Sequence, residues 1–253
     1  MNVSILVSTF DGYQMCWEPF CYGLQKYWHD VPYELVFITN HLLAPCGRSI
    51  RVGQDRGWAN NLIEALKQTP TPYVIYAQED YWLNKPVDTA QIRSYVELME
   101  QDRADYIRLF PVPPPDEPFA DDERLGVIST NSGYRASLQM ALWRKEVLID
   151  ILKTDETGWA FELEGTIRSR KYGARFLSVK KARYGISYIF TAIVNGEWTK
   201  AAHEYAANEG IYVDFDALTP KRRMNRFRQS IRRNLYRHFK RFSHSGRRLA
   251  SGR

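Results

Sequence analysis

Short apolar runs that alternate with helix-patterned stretches leave this chain few architectures to choose from. Val3–Ser8 (VSILVS) is β-branched and apolar on both faces, the composition of a strand buried in a parallel sheet. Similar runs return at Tyr33–Thr39, Tyr73–Ala77 and Tyr106–Leu109. Helical patterns separate them, at about residues 17–28, at Gly57–Gln68 and at about 89–100, and in the second Trp58, Leu62, Ala65 and Leu66 recur at helical spacing. Such alternation reads as a βαβ series, hence an α/β fold with a mostly parallel sheet flanked by helices.

The pattern breaks at Phe110–Asp116 (FPVPPPD), too stiff for a helix and too poor in N–H donors for a central strand. Beyond it the spacing predicts a strand over Ser137–Leu142, helices over Arg144–Lys153 and Ala160–Arg170, and a strand over Ile186–Phe190. This half is expected to extend the same sheet, so residues 1–216 read as one domain. With 44% hydrophobic and 25% charged residues among 253, disorder over the whole length is excluded. The 7 Trp and 16 Tyr favour a site with flat apolar walls and polar edges.

Charge is segregated. Residues 217–253 hold 13 Lys and Arg and no acid, whereas residues 1–216 hold 22 basic and 29 acidic side chains, a net of −7. An acidic body is a poor nucleic-acid platform, and no nucleic-acid partner is expected. In the tail, Thr219-Pro220 suits a helix start, and Met224, Phe227, Ile231, Leu235, Phe239 and Phe242 recur in steps of three and four. A basic amphipathic helix follows, suited to an anionic membrane surface through residues 219–242, or to packing on the main domain with its charges solvated.

Cys16, Cys21 and Cys46 are odd in number, form no CxxC pair and have no zinc-ligand spacing around them, which predicts a reducing compartment. The start MNVSILVSTF lacks the charge and apolar length of a signal peptide, and no stretch approaches the roughly 18 apolar residues of a membrane span. The expected location is cytoplasmic, peripheral on the inner face of the cell membrane through the tail.

In open α/β sheets ligands bind beyond the carboxyl ends of the strands. Thr9, Phe10 and Asp11 follow the first predicted strand, Gln78, Glu79 and Asp80 follow the third, and Asp55, Arg56 and Gly57 precede a helix. Singly these acids also suit plain structural work: an Asx turn at Asp11, a helix cap at Asp55, a solvated loop at Asp80. Three such loops at one sheet edge suggest a site.

Six segments in order, VSILVSTFDGY, DRGWANNLIEAL, YVIYAQEDYWL, YRASLQMALW, GWAFELEGT and IVNGEW, resemble bacterial GT-A-fold nucleotide-sugar glycosyltransferases of surface-polysaccharide biosynthesis. The resemblance covers about Val3 to Trp198 and implies a GT-A-like, Rossmann-like mixed sheet. It also implies transfer of a sugar from a nucleoside-diphosphate donor to a glycan or polyprenyl-linked glycan in capsule, O-antigen or lipopolysaccharide assembly, with inversion. By the same resemblance Thr9, Phe10, Asp11, Asp55, Trp58, Asn61, Gln78 and Arg135 would bind the donor. Asp80 and Glu79 would hold a divalent cation, Mg²⁺ or Mn²⁺, although Gln78 stands where the first acid of a D-x-D motif belongs. Metal-free stabilisation by Arg135 or Arg56 is the alternative. Glu162 rather than Glu164 would be the general base, and Trp82, Trp159, Trp198 and His203 would meet the acceptor. Two other classes remain open: a non-catalytic sugar-nucleotide or glycan-binding module, and a nucleic-acid-associated protein acting through the tail.

Overall fold

The computed structural model describes residues 2–218, so the amphipathic helix expected over 219–242 lies outside the described residues. The strands are β1 (Val3–Ser8), β2 (Glu34–Thr39), β3 (Arg48–Arg51), β4 (Tyr73–Gln78), β5 (Tyr106–Arg108), β6 (Glu117–Pro118), β7 (Leu125–Val127), β8 (Ala141–Arg144), β9 (Phe176–Val179), β10 (Ile193–Val194) and β11 (Glu197–Trp198). The helices are α1 (Trp17–Tyr27), α2 (Trp58–Gln68), α3 (Thr89–Glu100), α4 (Lys145–Ile151), α5 (Gly158–Ala160), α6 (Thr166–Ser169) and α7 (Lys200–Glu209). A π-helical stretch, Phe161–Gly165, joins α5 to α6.

Nine strands form one sheet in the order β3-β2-β1-β4-β8-β5-β9-β7-β6. β1 pairs in parallel with both β2 and β4, whereas β8 lies antiparallel between β4 and β5. The fold is therefore GT-A-like: a mixed, mostly parallel sheet with helices on both faces. β1 alternates as a doubly covered strand should. Val3, Ile5 and Val7 enter a core with Trp17 and Phe20 of α1 and Tyr95 of α3, while Leu6 faces Leu62 and Leu66 of α2 and Leu148 of α4.

Chain order reverses at β1, since β2 and β3 lie on one side of it and β4 on the other. The crevice beyond the carboxyl ends of β1 and β4 is therefore the topological switch point, where this class of sheet binds ligands. Ser8 is in register with Gln78 there.

Three sequence expectations change. The run over 186–190 joins no ladder and makes a single bridge, Tyr188 to Leu83, because it crosses the β4 exit as a strap. The strand expected from Ser137 begins at Ala141, since residues 137–140 are held by side chains. Against the expectation of a reducing compartment, Cys21 of α1 and Cys46 ahead of β3 form a disulfide, a bond that cytosolic reductants usually keep open. Cys16 is free and buried.

Candidate donor and acceptor site

The loop after β1 is built around Asp11. Its carboxylate accepts N–H bonds from Asn40 at 2.9 Å, His41 at 2.9 Å and Leu42 at 3.2 Å. Both oxygens are thereby spent on fixing the loop after β2. Thr9 accepts a bond from Trp17 Nε1 at 2.9 Å, and Phe10 packs on Tyr13 with ring centroids 4.7 Å apart.

On the α2 side, Asp55 Oδ1 accepts from Gly57 N at 2.9 Å and Asn61 Nδ2 at 2.8 Å, and Asn61 Oδ1 accepts from Arg56 N at 3.2 Å. Gly57 sits at φ +87°, a backbone conformation that an L side chain would strain. This closed loop aims Trp58 at the end of β4. Trp58 Nε1 and Gln78 Nε2 both donate to the Tyr76 hydroxyl at 3.1 Å. Trp58 and Gln78, one from each predicted loop, thus converge on a single atom.

Glu79 and Asp80 occupy the turn that leaves β4, and both are buried. Asp80 Oδ2 accepts the Thr191 hydroxyl and the Ile193 N–H, and the Asp80 carbonyl accepts Ala192 N–H at 3.1 Å. The 186–193 strap therefore fixes the orientation of this carboxylate. Burial and the neighbouring Asp80 push the Glu79 carboxyl well above the usual carboxylate range, and burial raises Asp80 as well. Their charges also act on Tyr13 and Cys16, which burial raises first, so the turn after β4 faces the segment after β1. No described Lys or Arg forms an ion pair with either acid.

That pair is the test of whether a cation fits. Two adjacent buried carboxylates without a counter-ion are costly, and a divalent ion relieves both the desolvation and the mutual repulsion. Among the described residues no group of three or more His, Cys, Asp or Glu gathers to hold a metal. Glu79 and Asp80 suit an ion that takes one or two protein carboxylates and finds its other ligands on phosphate oxygens.

Glu162 lies on the π-helical stretch, turned inward, while Glu164 is exposed. Glu162 Oε1 accepts Leu138 N–H at 3.0 Å. Burial pushes its carboxyl up, against the lowering influence of that bond and of the Arg108 cation.

Other expected site residues lie elsewhere. Arg135 is buried, donates to the carbonyls of Ile128 and Gly173, and stacks 4.4 Å above the Phe176 ring. Burial lowers its guanidinium to about 10. It offers no cation at the rim, because backbone carbonyls take its donors inside the core. Trp82 is fully buried against Trp198 and Tyr205, with Nε1 on the Glu79 carbonyl, so it has no face for a sugar. Trp198 is half-buried on Phe215, and the exposed His203 ring stacks on the same Phe215 at 3.9 Å. Trp159 is 54% exposed, three residues before Glu162. The sequence reading missed Arg108, a buried residue whose guanidinium is held by the carbonyls of Pro113, Tyr134 and Arg135. Its place at the end of a predicted strand was the available signal.

No family model matches the chain, and no curated protein matches it. Solved structures do. TarS 1-349 of S. aureus in complex with UDP is similar over 85% of this chain and 67% of its own, at 16% identity and a TM-score of 0.53. A longer TarS structure aligns with 85% of this chain and 40% of its own, at 18% identity and a TM-score of 0.50. Against TarS 1-349 alone the chain spans 58% of the other's length. A mannosyltransferase, PcManGT of Pyrobaculum calidifontis, in complex with GDP-Man and Mn²⁺, is a looser likeness over 74% of this chain and 56% of its own, at 12% identity and a TM-score of 0.46. What this chain shares with TarS is the fold: a mixed, mostly parallel sheet flanked by helices.

Proposed function

We propose that this chain is a glycosyltransferase that moves a sugar, with inversion, from a nucleoside-diphosphate donor to a glycan or lipid-linked glycan acceptor in surface-polysaccharide assembly. The observation that carries the reading is the Glu79–Asp80 pair, buried at the switch-point crevice with no counter-ion among the described residues. Buried acids that no described cation neutralises are kept for a ligand more often than for stability. TarS, on the same fold, is held with UDP.

The geometry is consistent with the following roles. Trp58 and Gln78, joined through Tyr76, would form the donor side of the crevice, with Thr9 and Phe10 across it. A divalent cation, when bound, places positive charge on the departing diphosphate, and Asp80 and Glu79 are the residues that would hold it. Glu162 would accept the proton of the acceptor hydroxyl as that oxygen bonds to the anomeric carbon and the diphosphate leaves with the electron pair of the broken C–O bond. Its raised affinity for protons suits a general base, and its Oε1 is already oriented by Leu138. Exposed Trp159 would offer the acceptor an apolar face.

Among the described residues no helix is long and apolar enough to cross a membrane. The proposed site of action is the inner membrane face, reached through residues 219–242. There the Cys21–Cys46 bond would be reduced.

A thermal-shift panel of UDP, GDP, CMP and dTDP, each with and without Mn²⁺, tests the reading. One nucleotide at a hundred times its Kd stabilises the fold by about 2.7 kcal/mol, and the metal should enlarge the effect. Melting curves unmoved by all four nucleotides, with and without Mn²⁺, would remove the proposal. Gln78 in place of an acid favours a second reading, a binding module without turnover. Calorimetric binding of a nucleotide sugar with no nucleotide released over hours would select it.

A further inference from the structure

We infer that Tyr81 is a positioning residue for Glu162, acting through the backbone of Leu138 and tying the general base to the acidic turn after β4. The inference rests on the reading of Glu162 as the base. The Tyr81 hydroxyl donates to the Leu138 carbonyl at 3.0 Å, and the N–H of the same residue donates to Glu162 Oε1 at 3.0 Å. Leu138 thus stands between the two side chains, held at its oxygen by one and at its nitrogen by the other. It lies ahead of β8, outside any ladder, so strand pairing does not fix it.

Tyr81 is itself held firmly. Its ring stacks on Tyr188 with centroids 4.7 Å apart and planes 23° apart. The Tyr188 hydroxyl donates to Gln139 Oε1 at 2.7 Å and accepts Met140 N–H at 3.1 Å. Residues 138–140 therefore hang from two stacked tyrosines, one from the turn that carries Asp80 and one from the strap whose Thr191 holds that acid. Anything that shifts this turn reaches Glu162 by way of Leu138. The two bonds lie on the peptide groups either side of the Leu138 Cα, so the bond at the carbonyl acts by fixing the conformation of the segment that bonds Glu162. The charged and titratable groups that act on Glu162 include Arg108 at the end of β5 and Tyr81 itself.

A plain core role for Tyr81 predicts a loss of stability and nothing else, so the test must read Glu162. In ¹⁵N-labelled protein the Leu138 amide shift should follow the Glu162 titration, and Glu162→Gln should abolish that movement. Tyr81→Phe keeps the ring and removes the hydroxyl; the midpoint should rise by roughly half a pH unit, because a weaker Leu138 bond stabilises the carboxylate less. 3-Fluorotyrosine at position 81 keeps ring and hydroxyl but donates more strongly, and should lower the midpoint. Tyr95→Phe removes a similar hydroxyl, bonded to the Tyr184 carbonyl, and should leave the midpoint where it was. An unmoved midpoint in both position-81 proteins, or shifts of the same sign, would overturn the inference. Wild-type transfer rate in Glu162→Gln would instead sink the base assignment and leave the midpoint result standing.

Discussion

Asp11 and Asn40 bind each other reciprocally across the β1–β2 edge. Asp11 N–H donates to Asn40 Oδ1 at 3.1 Å, and Asn40 N–H donates to Asp11 Oδ1 at 2.9 Å. The remaining Asp11 oxygen takes two further N–H groups, from His41 and Leu42. A residue that resembles a nucleotide ligand by position therefore works as the clasp between two exit loops.

Removing the clasp should be costly. Asp11→Ala leaves three N–H groups without their acceptor, and hydrogen bonds to charged groups contribute about 1.5–3 kcal/mol each. The loops are partly wet, so water recovers some of this, and we expect a loss of about 3 kcal/mol in urea unfolding. Asp11→Asn, isosteric but uncharged, should lose about half as much. A midpoint unchanged in both variants would mean that the clasp contributes nothing.

Glu162→Gln should lower kcat for transfer by about 10²–10⁴-fold with donor affinity kept. In the wild type the rate should rise with pH through a midpoint above the ordinary glutamate value of 4.5, because burial favours the protonated carboxyl. The same shift has a stability consequence. An acid raised in the folded state favours folding while protonated, and that contribution fades as pH climbs from the unfolded to the folded midpoint. At neutral pH the Gln variant should therefore melt higher than the wild type while turning over more slowly. Kinetics and melting on the same preparations check both signs, and a slower variant that melts lower would contradict the account.

Arg135 and Trp82 separate structural from functional aromatics and cations. Arg135→Ala strips the buried Ile128 carbonyl and the part-buried Gly173 carbonyl of their donor and opens a cavity over Phe176. The expected loss is about 3–5 kcal/mol. Trp82→Ala should lose a similar amount, since its ring is fully buried. Trp159→Ala should cost well under half of what either of those variants loses, since the ring is 54% exposed. It should instead raise the acceptor KM several-fold. Calorimetry and acceptor kinetics on the three variants distinguish these roles, and a destabilised Trp159→Ala with unchanged KM would reverse them.

The sequence made much of this legible, for reasons that can be named. β1, β2 and β4 are long, β-branched and covered on both faces, so each run reads as a strand without its neighbours. β6 and β7 have two and three residues, too few to show a period, and β9 sits directly after a helical stretch that masks its start. The acidic turn at Glu79–Asp80 was readable from its position after a predicted strand, whereas Glu162 was singled out over Glu164 by the resemblance alone. Leu138 was not, because its role belongs to its backbone. Arg135 misled because a cation in sequence suggests solvent, and only the fold supplies the carbonyls that let it be buried.

The Cys21–Cys46 bond joins α1 to the loop that follows β2, the same loop that Asp11 clasps. It spans a sequence separation of 25 residues. Closing a loop of that length removes chain entropy from the unfolded state worth about 3.5 kcal/mol. Two fastenings on one loop should substitute partly for each other. Reduction of the wild type should lower its melting temperature by several degrees, and reduction of Asp11→Ala should cost more than the two losses added, because neither fastening then holds residues 40–46. Donor affinity should fall in step, since that loop borders the crevice. Strictly additive losses in a double-mutant cycle of Asp11→Ala with Cys21→Ser would show that the clasp and the disulfide act on separate parts of the fold.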